Sequence, residues 1–205
     1  MTMTRAVLFD MDGVLVFSEE AWFLVYNRTL ARFGHPPISR AAFDAIYGNG
    51  TEADRDTYMP ERSIEEVNAA YEEYFQEYLG EIQTNPEAIP VLEELRNLGI
   101  RTAAATNTQK SLACRILSLT GILPHLDAVA SADEAGAGKP DPAVLYLASE
   151  KLRVPLSDCL FTGDSRYDLE AARQTAVRFL PFRMGTQGSI QSLFEFLERV
   201  REDLL

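Results

Sequence analysis

Along most of the chain, short apolar runs alternate with stretches whose apolar residues recur at helical spacing. The apolar runs predict five strands, at residues 6–9, 100–105, 126–130, 159–162 and 177–180. The helical spacing predicts helices near residues 90–98, 109–120, 142–152, 166–175 and 188–200. Strands and helices that alternate in this way are typical of an α/β fold, here a doubly wound, parallel, five-stranded Rossmann-like sheet.

Residues 14–84 interrupt this alternation, because their apolar spacing is helical throughout. Ser18 and Ser63 are candidate N-caps of two long helices, and a glycine-rich loop is predicted between them at residues 47–51. We therefore expect a helical insertion that lies over the carboxyl end of the first strand. The predicted domains are an α/β core of residues 1–13 and 85–205 and a helical domain of residues 14–84.

Composition narrows the classes of partner. The 205 residues carry a formal net charge of −12, which repels the phosphate backbone of nucleic acids and makes nucleic acid an unexpected partner. No apolar run approaches the roughly 20 residues that span a bilayer, and no signal-peptide pattern is present, so we expect no membrane partner. Cys114 and Cys159 are predicted to be reduced core residues of a cytoplasmic protein. A monomer or weak homodimer is expected.

Polar residues that could take part in catalysis or ligand binding follow three of the predicted strands. Because the carboxyl ends of parallel strands meet at one edge of the sheet, we expect these side chains to share a crevice. A lysine in a proline-bounded turn before a helix, at Gly138-Lys139-Pro140, is expected to join them. The candidate residues are Asp10, Asp12, Thr106, Asn107, Lys139, Asp164 and Asp168.

The charges of this group predict a metal ion. Four carboxylates and one ammonium leave about three negative charges, too many for a site that must hold an anion. Clustered carboxylates suit Mg²⁺, and with it the crevice can accept a phosphate group. Asp10 could then attack phosphorus to form an aspartyl-phosphate, while Asp12 moves protons as a general acid and base.

At these residues the chain resembles the haloacid dehalogenase superfamily of phosphohydrolases. The resemblance is carried, in family order, by Asp10-Met11-Asp12-Gly13, the strand end at Thr106, Lys139-Pro140, and Gly163-Asp164-Ser165 with Asp168. It implies that Asp10 is the nucleophile and Asp12 the general acid/base. Asp10, the Asp12 carbonyl and Asp164 would hold Mg²⁺ with Asp168 in support, and Thr106, Asn107 and Lys139 would bind the phosphoryl group. The helical insertion is similar to the family's small helical cap.

Within the family, two short runs are similar to those of phosphoglycolate phosphatases. They are Gly48-Asn49-Gly50 in the insertion, a candidate specificity loop, and Gly163-Asp164-Ser165-Arg166. The resemblance therefore implies a phosphatase for a small phosphorylated metabolite, with phosphoglycolate as the expected substrate. Arg28 or Arg55 could supply the cation that a carboxylate substrate needs.

Other functions fit the residues less well. A phosphomutase of the β-phosphoglucomutase type uses the same aspartyl-phosphate, and it stays open as the alternative. A signalling receiver also combines acids and a lysine, but it lacks a helical insertion after the first strand. The Asp-x-Asp-Gly run fails as a calcium loop because Val14, Leu15 and Ala21 stand at ligand, glycine and glutamate positions.

Overall fold

The computed structural model describes residues 4–204, so residues 1–3 and 205 of the predicted core lie outside the described part. At its centre is a parallel five-stranded sheet. Its strands are β1 (Ala6–Phe9), β4 (Arg101–Thr106), β5 (Ala128–Ser131), β6 (Cys159–Gly163) and β7 (Arg178–Pro181). They lie in the order β5-β4-β1-β6-β7, so that β1, the first strand in the chain, is the central one.

All five predicted strands are confirmed, with boundaries that move by up to two residues. The sequence order and spatial order differ because the chain adds β4 and β5 on one side of β1 and then crosses to add β6 and β7 on the other side. The strand β1 pairs in parallel with β4 on one side and β6 on the other, with Phe9 opposite Ala104 and Thr162. The ends of these three strands are therefore side by side.

The sheet is covered on both faces, as expected for a doubly wound fold. Val7 and Phe9 belong to a core shared with three helices, whereas Ala6 and Leu8 belong to a second core on the opposite face. The first face carries α5 (Ala88–Asn97), α6 (Lys110–Leu119) and α10 (Leu193–Glu202), and the second carries α8 (Ala143–Leu152) and α9 (Arg166–Arg173). A short helix, α7 (Ala132–Ala135), follows β5.

The helical insertion, which we define as residues 19–81, contains four α-helices. They are α1 (Glu19–Arg32), α2 (Arg40–Asp44), α3 (Thr51–Tyr58) and α4 (Ile64–Phe75), and a 3₁₀ helix at Gln76–Glu81 completes it. Ser63 is the N-cap of α4, as predicted. Its side chain accepts a hydrogen bond from the Glu66 N–H, and the Glu66 side chain accepts one from the Ser63 N–H. No strand in the insertion pairs with the main sheet among the described residues.

Two details of the insertion differ from the sequence prediction. The helix α3 was not predicted, because its residues are mostly polar and none of them is fully buried, so they leave no apolar spacing. The second long helix also ends at Phe75 rather than near residue 79, where the chain tightens into the 3₁₀ turn.

Two very short strands connect the insertion to the core. Residues 14–84 were expected to be helical throughout, but β2 (Val16–Phe17) and β3 (Gln83–Thr84) form an antiparallel pair where the chain leaves and returns. Strands of two residues have no measurable periodicity, which is why the sequence pattern missed them. The division into separately folding domains stays a prediction.

Within residues 4–204, none of the helices combines the length and the apolar character that crossing a bilayer would require.

Candidate active site

The site is built around Lys139, whose ammonium group is buried between two carboxylates. Lys139 Nζ lies 2.7 Å from Asp10 Oδ1 and 2.6 Å from Asp168 Oδ1, and its third hydrogen bond goes to the Ala105 carbonyl at 2.9 Å. The lysine is only 4% exposed and Asp168 is fully buried. Because all three ammonium protons have partners, the lysine is held at one position between the ends of β1 and β4 and the first turn of α9.

The burial of this group raises the pKa of its acids. Burial and then the charge of Asp168 raise the pKa of Asp10 well above its usual value, although Lys139 opposes them. Burial, followed by the charge of Asp168, raises the pKa of Asp164 to about 7. Burial lowers the pKa of Lys139, but the two carboxylates outweigh it and the net shift is upward. The acids outnumber the lysine, and their negative charge is incompletely balanced.

This imbalance fits a divalent cation. Oxygens of Asp10, Asp164 and Asp168 all lie within 4.8 Å of one another. Oxygen donors of this type, in a group with excess negative charge, are what Mg²⁺ prefers. Gly13 allows the close approach of Asp164, since its φ is 84° and a Cβ there would lie 1.9 Å from Asp164 Oδ2.

Asp168 differs from the other acids of the cluster, because both of its oxygens are already bonded. Its Oδ1 accepts from Lys139, and its Oδ2 accepts from the N–H and hydroxyl of Ser165 at the start of α9. Asp168 therefore holds the lysine and caps its helix at the same time. The role of this residue toward a metal stays a prediction.

Asp12 points toward the insertion, where three donors hold its carboxylate. Its Oδ1 accepts from Trp22 Nε1 at 3.0 Å and from the Ser18 hydroxyl, and its Oδ2 accepts from Thr108 Oγ1 at 2.9 Å. Ser18 was predicted as a helix cap, but its side chain caps no helical N–H. The hydroxyl turns instead to Asp12, a stronger acceptor because it is charged.

Asn107 connects the core to the predicted specificity loop. Its amide nitrogen donates to the carbonyls of Gly48, Asn49 and Lys139 at 3.0, 3.3 and 2.8 Å, and its amide oxygen accepts from the Lys139 N–H at 2.6 Å. The neighbouring Thr106 is 1% exposed, and its hydroxyl accepts from the Thr108 N–H. The Asn107 side chain thus fixes the loop over Lys139.

A pocket lies between this group and the insertion. The sheet side contributes Asp10, Asp12, Thr106, Asn107, Thr108, Gln109 and Lys139, and the loop contributes Gly48, Asn49 and Gly50. The pocket therefore brings together all three predicted loop residues and five of the seven predicted core residues. The other two, Asp164 and Asp168, do not line it, but each has a carboxylate oxygen within 4.8 Å of one of Asp10.

Some residues that line the pocket carried no clear functional signal in the sequence. Trp22 could have belonged to the hydrophobic core or to the site, and it contributes to both, since it packs on Phe75 and donates to Asp12. Thr108 and Asp54 were not singled out. The polar run Thr106-Asn107-Thr108 at a strand end was the one available signal for Thr108, whereas nothing local marks Asp54.

Comparison with known proteins identifies the family. The model of the haloacid dehalogenase-like hydrolases matches residues 4–175, and this chain belongs to that family. A phosphoglycolate phosphatase from Cereibacter sphaeroides is 30% identical over 187 residues, which are 87% of this chain and 85% of the relative. The predicted family and the predicted enzyme class, a phosphoric monoester hydrolase, are confirmed.

Solved structures agree with the fold. A candidate phosphoglycolate phosphatase from Lactobacillus plantarum superimposes with a TM-score of 0.84 at 24% identity, covering 96% of this chain and 99% of that one. A β-phosphoglucomutase from Clostridium difficile superimposes with a TM-score of 0.83 at 18% identity, covering 98% and 97%. At these identities the likeness concerns the fold, and it does not separate hydrolases from mutases.

Proposed function

We propose that the protein is a Mg²⁺-dependent phosphatase of small phosphorylated metabolites that works through an aspartyl-phosphate on Asp10. One observation carries the proposal: Asp10 lies at the end of the central strand, in a group of acids with raised pKa values that is fixed by a fully bonded lysine. Such perturbed acids at the base of a pocket are typical of catalytic groups.

The contacts of Asp10 suit a nucleophile. Its Oδ1 accepts from both Lys139 Nζ and the Met11 N–H, each at 2.7 Å. Among the described residues no donor reaches Oδ2, so this oxygen keeps its lone pairs for a substrate. In the proposed reaction Oδ2 forms a bond to phosphorus while the ester oxygen leaves, and water then attacks phosphorus to release phosphate and restore the carboxylate.

Asp12 is the group that we assign to proton transfer. It follows the nucleophile by two residues, lies against the pocket, and is held from both oxygens by residues of the core and the insertion. In the proposed reaction its carboxyl gives a proton to the leaving oxygen and then takes one from the attacking water. Trp22, Ser18 and Thr108 orient it for both steps.

Asp10, Asp164 and the backbone carbonyl of Asp12 would hold Mg²⁺, with Asp168 behind them. When bound, the ion would neutralise the acids and stabilise charge on the phosphoryl oxygens. Lys139 would add the second positive charge from the opposite side. Because its three protons already have partners, a phosphoryl oxygen would have to replace one of them.

Hydrolysis is favoured over phosphoryl transfer to a second sugar phosphate. A mutase must hold a bisphosphate, which requires cations at both ends of its pocket. Among the described residues that line this pocket, Lys139 is the one cation, and it belongs to the sheet end. The alternative of a β-phosphoglucomutase-like enzyme lacks support at the insertion.

The test is a panel of phosphate esters, measured by phosphate release with Mg²⁺, after chelation with EDTA, and after Mg²⁺ is restored. We expect turnover of small esters that stops on chelation and recovers on addition of the ion. Trapping of labelled phosphate on wild-type enzyme, and none on Asp10→Asn, would support the intermediate. Full activity in metal-free enzyme, or isomerisation of a sugar phosphate without phosphate release, would contradict the proposal.

A further inference from the structure

One side of the pocket is formed by the insertion, and its polar side chains all carry an oxygen that can accept a hydrogen bond. They come from three helices: Tyr26 from α1, Asp54 from α3, and Asn68 and Tyr71 from α4. These residues lie across the pocket from Asp10. They are therefore placed to contact the part of a phosphate ester that is not the phosphoryl group.

Asp54 is the acidic member of this set. Its Oδ2 accepts from the Tyr71 hydroxyl at 3.1 Å, and no other hydrogen bond reaches its carboxylate from the described residues. The residue keeps part of its surface accessible and lines the pocket. Its Oδ1 therefore has no donor among the described residues and is open to a hydrogen bond from a bound molecule.

Two further atoms beside it have no partner. The hydroxyl of Tyr26, a residue that is only 2% exposed, has no hydrogen-bond partner within residues 4–204, and neither has the buried Oδ1 of Asn68. Buried polar atoms without partners are rare in folded proteins, and each calls for an explanation. Both residues line the pocket with Asp54, so a small side-chain shift toward a bound molecule would give these atoms partners. Asn68 Oδ1 would accept a hydrogen bond, and the Tyr26 hydroxyl can accept or donate one.

Cations of the insertion lie elsewhere. Arg28 is exposed and stacks over the Tyr74 ring, with its Cζ 5.3 Å from the ring centroid, and Arg55 pairs with Asp56. Neither arginine lines the pocket. Burial raises the pKa of Asp54 to about 7, so above that pH the residue is ionised. A carboxylate at this end would then face its negative charge with no opposite charge from the insertion, which opposes binding.

We propose that the insertion selects phosphate esters whose leaving group donates hydrogen bonds, through a hydroxyl or an ammonium group, and that it discriminates against carboxylates such as phosphoglycolate. Asp54 is the residue that decides this preference, with Tyr26 and Asn68 as further acceptors. This inference rests on the proposed phosphatase function and names the class of substrate that the site takes.

Four esters of nearly equal size separate the possibilities. They are 2-hydroxyethyl phosphate, 2-aminoethyl phosphate, phosphoglycolate and ethyl phosphate, which differ only in the group at the second carbon. We expect kcat/KM for the hydroxyl or the ammonium ester to exceed that for phosphoglycolate by at least about tenfold, and to exceed that for ethyl phosphate as well. The larger of the two values identifies the donor that the site prefers.

The results that would overturn the inference are distinct from those that would overturn the phosphatase function. The inference is wrong if kcat/KM for phosphoglycolate equals or exceeds the values for the other esters, or if ethyl phosphate is hydrolysed as well as the donor esters. Either result is still compatible with the proposed phosphatase function. Hydrolysis of p-nitrophenyl phosphate alone would likewise contradict the inference and leave the phosphatase function. If no ester is hydrolysed, p-nitrophenyl phosphate included, the proposed function fails and the inference falls with it.

A variant assigns the preference to Asp54. In Asp54→Asn the charge is removed and the size is kept, and we expect the ratio of kcat/KM for phosphoglycolate to that for 2-aminoethyl phosphate to rise at least about tenfold. The matched control is Asp56→Asn, an exposed acid on the same helix, which should keep the wild-type ratio. An unchanged ratio in Asp54→Asn contradicts the role of this residue. If the variant does not fold, the wild-type ester series still decides.

Discussion

The two ends of the pocket differ in how completely their polar groups are bonded. At the sheet end, Lys139 uses all three of its protons and Asp168 uses both of its oxygens. At the insertion end, Tyr26 and Asn68 keep buried atoms without partners. The first arrangement fixes groups whose geometry must not vary during a reaction. The second leaves bonds to be made by whatever molecule enters, so chemistry and selection belong to different parts of the chain.

The strongest test of this division is Asp10→Asn. An amide is a poor nucleophile toward phosphorus, so kcat should fall by at least about 10⁴-fold on every ester, whatever its leaving group. The measurement is steady-state phosphate release, with circular dichroism and thermal melting to show that the variant is folded. Activity near the wild-type level would mean that Asp10 is not the nucleophile.

Asp12→Asn should have the next largest effect. Loss of a positioned general acid and base slows a reaction by roughly 10²–10⁴-fold. The loss should be greater for esters with poor leaving groups than for p-nitrophenyl phosphate, because p-nitrophenolate is stable enough to leave without being protonated. Equal losses on both kinds of ester would contradict proton donation from Asp12 to the leaving oxygen.

The sheet end should also contribute more to stability than a surface ion pair. Lys139→Met leaves two buried carboxylates without their partner, and the free energy of unfolding should fall by about 3–5 kcal/mol in urea titrations. Arg199→Met is the control, because the Arg199–Glu202 pair is 3.6 Å long and about half exposed. Its loss should cost at most about 1 kcal/mol. Similar losses in the two variants would remove the contrast.

The insertion end should make the stability of the protein depend on pH through Asp54. Burial raises the pKa of Asp54 to about 7, whereas in the unfolded chain the carboxyl has its ordinary pKa of 3.8. Between these values the folded state holds a proton that the unfolded state has lost, so stability falls as pH rises. Asp54→Asn removes this effect, and its stability relative to wild type should grow by about 3 kcal/mol between pH 4 and pH 7 and level off above pH 7.

This difference is read from unfolding free energies of both proteins over that pH range, where contributions from other acids cancel. A constant difference across the range would show that Asp54 is not a buried acid.

The sequence predicted the sheet end far better than the insertion end, for a physical reason. A parallel sheet brings its strand ends together wherever the intervening helices lie, so the meeting of Asp10, Thr106 and Asp164 follows from topology alone. Whether an insertion residue faces the site depends on how four helices pack, which no local pattern encodes. Asp54 illustrates this, because α3 itself left no apolar spacing to read.

Ser18 shows the same limit on a smaller scale. A serine just before a helical stretch is a good N-cap by local rules. The Ser18 hydroxyl donates instead to the carboxylate of Asp12, six residues away in sequence. A hydrogen bond to a carboxylate is stronger than one with a backbone N–H at the start of the helix. Local preference predicted where α1 begins but not what the side chain contacts.

The pairing of β2 with β3 has a consequence for how genes of this kind can change. The chain departs at Val16–Phe17 and returns at Gln83–Thr84, and these are hydrogen-bonded neighbours about 5 Å apart. The 65 residues between these strands therefore begin and end at neighbouring positions, as the residues of a tight turn do. A coding segment spliced in or out at these two points would leave β1 and α5 undisturbed, since closing a longer loop adds only about 0.6 kcal/mol per doubling of length. Recombination at this junction offers a route by which one phosphoryl-transfer core acquires new substrates.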